Sequence, residues 1–347
     1  MSEFRVNSIT NQDGSAGPQV CGISTFSGKS GVQIPSGSSE FRRHDGGGRG
    51  RGVFGSGATP SGTNVMDLIE IATTGNSTDF GNDIGAREEN YASFSSTTRG
   101  VFAGGKEPAP NHTKDISFFT FSSQGGVNDF GDLITAVSSQ GGCGNNVRGL
   151  SGGGRTPDND SAPGTNNIEF VTIASTGDGT NFGDLTQGRT YLGSGIASPT
   201  RGVWHGGNET SPTVSNIIDF VTIATFGDAV DFGDVSKRNS QTGCSNSTRG
   251  LIAAGQNPSN LNSIEFITIA STGNAQDFGD VYDEVDYLGS CANATRGIFA
   301  GGQSPTKLNT IGFVTISTTG NTTDFGDLTV ARRFLAGCSD VHGGLTQ

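Results

Sequence analysis

Apolar and polar residues alternate along Asn262-Ser-Ile-Glu-Phe-Ile-Thr-Ile269, where Ile264, Phe266, Ile267 and Ile269 are β-branched or aromatic. That composition suits a pleated, half-buried strand. The pattern returns at Asn167-Ile-Glu-Phe-Val-Thr-Ile173 and Asn309-Thr-Ile-Gly-Phe-Val-Thr-Ile316. After it comes Ser271-Thr-Gly-Asn274, whose Gly-Asn pair tolerates the positive φ of a hairpin turn, and then Asp277-Phe-Gly-Asp280. Ahead of it stands Arg249-Gly-Leu-Ile-Ala-Ala-Gly255, a second apolar stretch. A further strand precedes the Arg-Gly pair, as in Tyr287-Leu-Gly-Ser-Cys-Ala-Asn293 before Arg296, which predicts four strands per unit.

The unit repeats. Arg-Gly pairs at Arg51, Arg99, Arg148, Arg201, Arg249 and Arg296 are spaced by 48, 49, 53, 48 and 47 residues. Copies of about fifty residues holding four strands each are the signature of propeller blades. Arg51 has no strand before it, because Glu40 to Gly50 reads as a Gly-rich linker, while Arg333-Phe-Leu-Ala-Gly-Cys338 is a first strand with no blade after it. The expected fold is therefore an all-β, six-bladed β-propeller over residues 51–347, its first blade completed by the strand from Phe334 to Cys338 beside Val53 and Phe54. Closure of this kind removes exposed sheet edges.

Residues 1–50 lie outside the repeat and are expected to form an anchoring arm and Gly-rich linker. Phe4, Val6, Ile9, Val20, Ile23 and Phe26 are spaced to make one or two short strands that add to a neighbour's sheet. A second unrepeated feature is the segment between the second and third strands. It differs in every copy yet always holds a proline: Pro60, Pro108, Pro157, Pro212, Pro258 and Pro305. These six loops are expected to share one face of the propeller and to be its candidate binding surface.

Composition supports this reading. The 57 glycines and two methionines disfavour a helical bundle, and a net charge of -12 disfavours a phosphate-backbone partner. No apolar run approaches the roughly 20 residues needed to span a bilayer, and Met1-Ser-Glu-Phe-Arg5 lacks the basic and apolar regions of a signal peptide. A soluble chain made in a cytoplasm is expected, with no nucleic-acid or membrane partner.

No motif points to catalysis. Asp-Phe-Gly-Asp begins at Asp129, Asp231, Asp277 and Asp324, with variants at Asp79 and Asn181. Six copies cannot each be a catalytic centre, so an architectural role is expected: phenylalanine between blades, glycine at a turn, aspartate accepting from backbone or from the repeated arginine in a ring of ion pairs. Clustered carboxylates would also suit calcium, which stays open. Phe94, Cys143, Ile196, Cys244, Cys291 and Cys338 occupy one repeat position, which favours apolar packing over redox or metal chemistry. The four histidines fall at unrelated positions and suggest no ligand set. No catalytic residue, metal or cofactor is expected, and the chain is read as no enzyme.

The order of strands, with glycine pairs such as Gly104-Gly105, Gly206-Gly207 and Gly301-Gly302 ending the second one, resembles the kelch repeat, with phenylalanines at its tyrosine and tryptophan positions. The opening Val6-Asn-Ser-Ile-Thr-Asn-Gln-Asp-Gly-Ser-Ala-Gly-Pro-Gln-Val-Cys-Gly-Ile-Ser-Thr-Phe26 and the repeated Phe-Val-Thr-Ile-Ala-Ser-Thr-Gly before Asp-Phe-Gly-Asp resemble kelch-like structural proteins of marine cyanophages. The resemblance implies a virion localisation, tail or neck association, multimeric assembly, and contact with other virion proteins through the arm. Two other classes are a host-receptor or glycan-binding adhesin and an intracellular kelch-type adaptor.

Overall fold

The computed structural model describes residues 19–20, 23–24, 50–89, 92–107, 111–158, 163–210 and 213–345. Every regular element among them is a β-strand, and no helix is long and apolar enough to cross a membrane. The chain divides into two units, Met1–His44 and Asp45–Gln347. In the first, Gln19–Val20 pairs antiparallel with Ile23–Ser24, Val20 opposite Ile23. Phe4, Val6, Ile9 and Phe26 lie outside the described residues, as does most of the expected linker.

The second unit is a six-bladed β-propeller. Six four-stranded antiparallel sheets follow one another. Their innermost strands are Ala336–Ser339 in blade 1, Ala92–Ser95 in blade 2, Gly141–Gly144 in blade 3, Ile196–Ala197 in blade 4, Thr242–Ser245 in blade 5 and Gly289–Ala292 in blade 6. Each touches the next, and the sixth returns to the first. Blade 1 is completed by the C-terminal strand, with Val53 opposite Cys338 and Phe54 opposite Gly337. That strand begins at Ala336 and not at Phe334, because Phe334 adopts a left-handed φ of 61°, outside the extended region. Tyr287, φ 58°, likewise precedes its strand.

The core lies between blades. Val53, Met66, Leu68 and Phe80 of blade 1 pack with Phe102, Phe119 and Phe121 of blade 2, and each later interface repeats the arrangement with its own apolar set. The cysteine position serves this packing, since Cys143, Cys244, Cys291 and Cys338 are buried free thiols. Burial pushes every one of them upward, Cys244 to about 12, so none is a thiolate at neutral pH. The glycine of the Arg-Gly pair makes room for the neighbour: a Cβ on Gly52 would lie 2.6 Å from Cys291 Sγ.

The ring closes through a turn that is not covalent. In blades 2 to 6 the residue after the inner strand is Ser96, Asn145, Ser198, Asn246 or Asn293, and its side chain accepts the N–H of the arginine that opens the second strand of the same blade. In blade 1 Asp340 takes this place. Its Oδ1 accepts from Gly50 N and Arg51 N at 3.0 and 2.8 Å, across 290 and 289 residues of chain. Its own N–H donates to Arg51 O at 3.2 Å, as Asn145 N does to Arg148 O.

Candidate functional site

Strand order gives the propeller two unlike faces. The turns between inner and second strands share one face with the Thr-Gly turns between third and outer strands, with the chain entering at Gly50, and with the C-terminal tail. The described parts of the proline-containing segments and of the linkers from one blade to the next occupy the opposite, loop face.

On the turn face, the repeated arginines form a closed ring of staples. Arg51, Arg99, Arg148, Arg201, Arg249 and Arg296 donate from Nη1 to the carbonyls of Phe121, Ile173, Ile223, Ile269, Ile316 and Ile71, each on the following blade. Five of the guanidinium groups also lie over a phenylalanine of their own blade, 4.4 to 5.1 Å from the ring centre. The expected ion pairs with Asp-Phe-Gly-Asp do not form: a strand-end carbonyl is within reach of each arginine, whereas the first aspartates at 79, 129, 231, 277 and 324 face solvent at the rim.

The Asp-Phe-Gly-Asp unit makes a second ring. Its phenylalanines are buried at 1 to 3% exposure, and the Phe carbonyls accept the N–H of the next blade's turn glycine, as Phe278 O does from Gly320 N at 2.7 Å. Its glycine has to stay small, since a Cβ on Gly279 would sit 2.4 Å from Gly320 O, and its φ is +146°. The N–H of the last aspartate is taken by a side chain of the neighbouring turn, as Asp280 N is by Asn321 Oδ1 at 3.0 Å. Only the glycine of the expected Gly-Asn turn has positive φ; the asparagine holds the neighbouring blade instead. Among the described residues no group of three His, Cys, Asp or Glu could hold a metal ion.

Around the axis, serines link the inner strands. Ser93, Ser95, Ser245, Ser290 and Ser339 donate to carbonyls of the neighbouring blade. They line a cavity of about 50 Å³ that meets His342 at the turn face. There the tail crosses the channel: His342 Nε2 donates to Ser95 O, Gly343 N to Ser245 O, and Gly344 N to His342 Nδ1. A Cβ on Gly344 would meet Gly144 O.

Beneath the loop face lies a charged layer that repeat analysis does not single out. Arg87, Arg189, Arg238 and Arg332 are buried to 1% exposure or less. Arg189 pairs with Asp219 at 2.5 Å, Arg332 with Asp67 at 2.6 Å, Arg238 with Glu265, and Arg87 with Asp83 at 3.5 Å. All four also donate to a carbonyl where the second strand ends. The signal in the chain is an arginine seven or eight residues after the first position of the Asp-Phe-Gly-Asp unit. Valines 137 and 285 stand there in the other two copies. At Val285 the carboxylate position is Gly312, and Tyr282 packs over it and donates its hydroxyl to Gly301 O at 2.8 Å.

His205 is buried in this layer, and burial together with the charges of Arg189 and Arg238 pushes its imidazole down to about 3. The unfolded chain takes up this proton below its ordinary value near 6.5, and the folded chain refuses it until about 3. Stability should therefore be complete above pH 6.5 and fall toward pH 3, by up to ~1.4 kcal/mol per pH unit from this group. Asp286, pushed up to about 6 by burial, acts in the opposite sense. Comparing urea midpoints of wild type and His205→Gln between pH 7 and 4 isolates the histidine; the variant should gain on wild type as pH falls, and parallel curves would refute the assignment.

The proline segments differ in build. Asn208–Thr210 pairs with Thr213–Val214, and Gln303–Ser304 with Thr306–Lys307, as small hairpins. In blades 1 and 5 the main pair lengthens instead, Thr63 opposite Arg87 and Leu261 opposite Val285. Pro60, Pro157, Pro258 and Pro305 are exposed on this face. Pro108 and Pro212 lie outside the described residues. No protein-family model matches the chain, and no curated protein matches it. Its β-propeller architecture is one that fits protein–protein interaction.

Proposed function

We propose that the chain is a non-enzymatic structural protein of a bacteriophage particle, tail or neck associated and multimeric there. It is held by its N-terminal arm to other virion proteins and presents the propeller for protein–protein or host-surface contact. The observation that carries this reading is the arrangement of the propeller itself. Gly50 and the C-terminal tail lie on the turn face and the described parts of the proline segments on the opposite one, so the loop face carries neither end of the propeller. The repeated motifs also support it, because their arginines, phenylalanines and glycines are consumed in joining blades.

Quantitative mass spectrometry of gradient-purified particles should find the chain at a fixed ratio to the major structural proteins. A chain confined to the lysate would overturn the reading. A second reading, a host-surface adhesin, is favoured by the unequal build of the loops on one face.

A further inference from the structure

The buried charged layer is broken at the interface of blades 2 and 3, where one half of a pair is kept without the other. Val137 stands at the arginine position there, following Leu133 at the spacing by which Arg189 follows Leu185 and Arg332 follows Leu328. The facing carboxylate remains as Glu169, 7% exposed. Between blades 5 and 6, by contrast, both halves are lost together, as Val285 and Gly312. Burial pushes the Glu169 carboxyl up from its ordinary value and the N–H groups of Ile134 and Thr135 partly offset this, but no cationic side chain does.

Glu265, at the same position two blades on, has its full set of partners. Its Oε2 accepts from Ser236 N at 3.1 Å and its Oε1 from Arg238 Nη2, while Arg238 Nη1 donates to the carbonyls of Ala254 and Ser263. Arg189 uses Gly206 O and Ile217 O in the same way. Blade 3 keeps the acceptors. Glu169 Oε2 accepts from Ile134 N at 2.8 Å, the counterpart of Ser236 N. Gly153 and Asn167 take the places of Ala254 and Ser263, with the same 3.0 Å bond between them, Gly153 N to Asn167 O as Ala254 N to Ser263 O. Only the donor is replaced. Beside Val137 and Glu169 lies a cavity of about 10 Å³, lined also by Thr135, Ser151, Gly153 and Asn167. Asn167 is exposed and Thr135 half-buried, so solvent reaches the cavity past them.

We propose that this cavity is a binding site for a small monovalent cation, of the size of potassium or ammonium, which replaces the missing guanidinium between blades 2 and 3. A carboxylate taken out of water is costly without a counter-charge, and the other groups around it are neutral. Size and charge set the class of ligand. A cavity of this volume holds one occupant about as large as a water molecule. One carboxylate among neutral oxygens balances a single positive charge, whereas calcium draws six to eight oxygens and its affinity rises with the number of charged ones. The carbonyl and hydroxyl oxygens of Gly153, Asn167, Thr135 and Ser151 are of the kind that accepts from an ammonium or coordinates a potassium ion. The chain's net charge of -12 concentrates cations near its surface. The inference stands whether or not the chain belongs to a particle.

The test melts the full chain at neutral pH and constant ionic strength in the chlorides of potassium, ammonium and tetramethylammonium, the last too large for the cavity. Potassium or ammonium at about 200 mM should raise the melting temperature by about 3 °C over tetramethylammonium, with saturation. Glu169→Gln should erase that difference. Val137→Arg should also erase it, while melting above wild type in tetramethylammonium, because the arginine then supplies the charge. Glu70→Gln, at an exposed carboxylate on the turn face, should keep the difference. Crystals grown in rubidium chloride give a readout apart from stability, an anomalous peak beside Glu169. Melting that ignores the cation, a difference that survives in Glu169→Gln, or a site that refines as water only would each overturn the proposal. Should Val137→Arg fail to fold, Glu169→Gln and the rubidium map decide.

Discussion

A chain ending at Phe334 is expected to lose cooperative folding altogether. It would lack the inner strand of blade 1, so the ladder from Gly52 to Gly55 loses its partner and Val53 and Phe54, both fully buried, lose the cover of Ala336 to Cys338. Blade 6 would lose its inner neighbour, and the axis would lose the serine link from Ser339 to Ala292. An unpaired edge beside an uncovered apolar face is also a site of aggregation. Near-ultraviolet circular dichroism and limited proteolysis should report the loss; a truncated chain melting like wild type would contradict the closure described above. A finer variant separates the strand from its lock. Asp340→Ala leaves the buried N–H of Gly50 and the part-buried N–H of Arg51 unmet and should cost about 2–3 kcal/mol in urea unfolding. Asp340→Asn should cost about 1 kcal/mol or less, because Asn145, Asn246 and Asn293 perform the same acceptance in three other blades. Equal losses in the two variants would sink the idea that the side chain acts as a turn acceptor.

The second large effect is expected at Arg332. Its Nη1 lies 2.6 Å from Asp67 Oδ2 with both side chains at 0% exposure. That oxygen has no aligned hydrogen bond, so the contact is chiefly electrostatic, while Asp67 Oδ1 accepts from Ser77 Oγ and Thr329 N. Arg332→Met strands a buried carboxylate and should cost about 3–5 kcal/mol. For a domain of this size that lowers the melting temperature by on the order of 10 °C. The double variant Arg332→Met with Asp67→Leu removes the stranded charge and should recover part of the loss. Blade 6 already works without such a pair, through Val285, Gly312 and Tyr282. A double variant less stable than either single would show that the arginine's bonds to Ser56 O and Phe54 O outweigh the charge pairing.

Repetition made most of the architecture legible. The spacing of Arg51, Arg99, Arg148, Arg201, Arg249 and Arg296 marks six blades, and the unpaired segment ending at Cys338 marks the closing strand, since both are visible as order along the chain. Arginine partners were not legible. The choice between a carboxylate and a carbonyl depends on which is nearer across a blade interface, and Arg99 finds Ile173 O at 3.1 Å. The buried Arg189–Asp219 pair has no local signature, because its members are 30 residues apart and neither belongs to a conspicuous motif.

The strand pattern, the number of blades, the permuted closure and the packing role of the cysteine position all follow from local periodicity counted six times over, and so are written in the order of residues. The remainder arises from contacts between blades. Those contacts bend Tyr191, Tyr287 and Phe334 into left-handed backbone and bring their rings together at the axis. Local propensity opposes that backbone, so no window of residues could announce it. It exists because neighbouring blades hold each linker by hydrogen bonds that form only when the ring is closed.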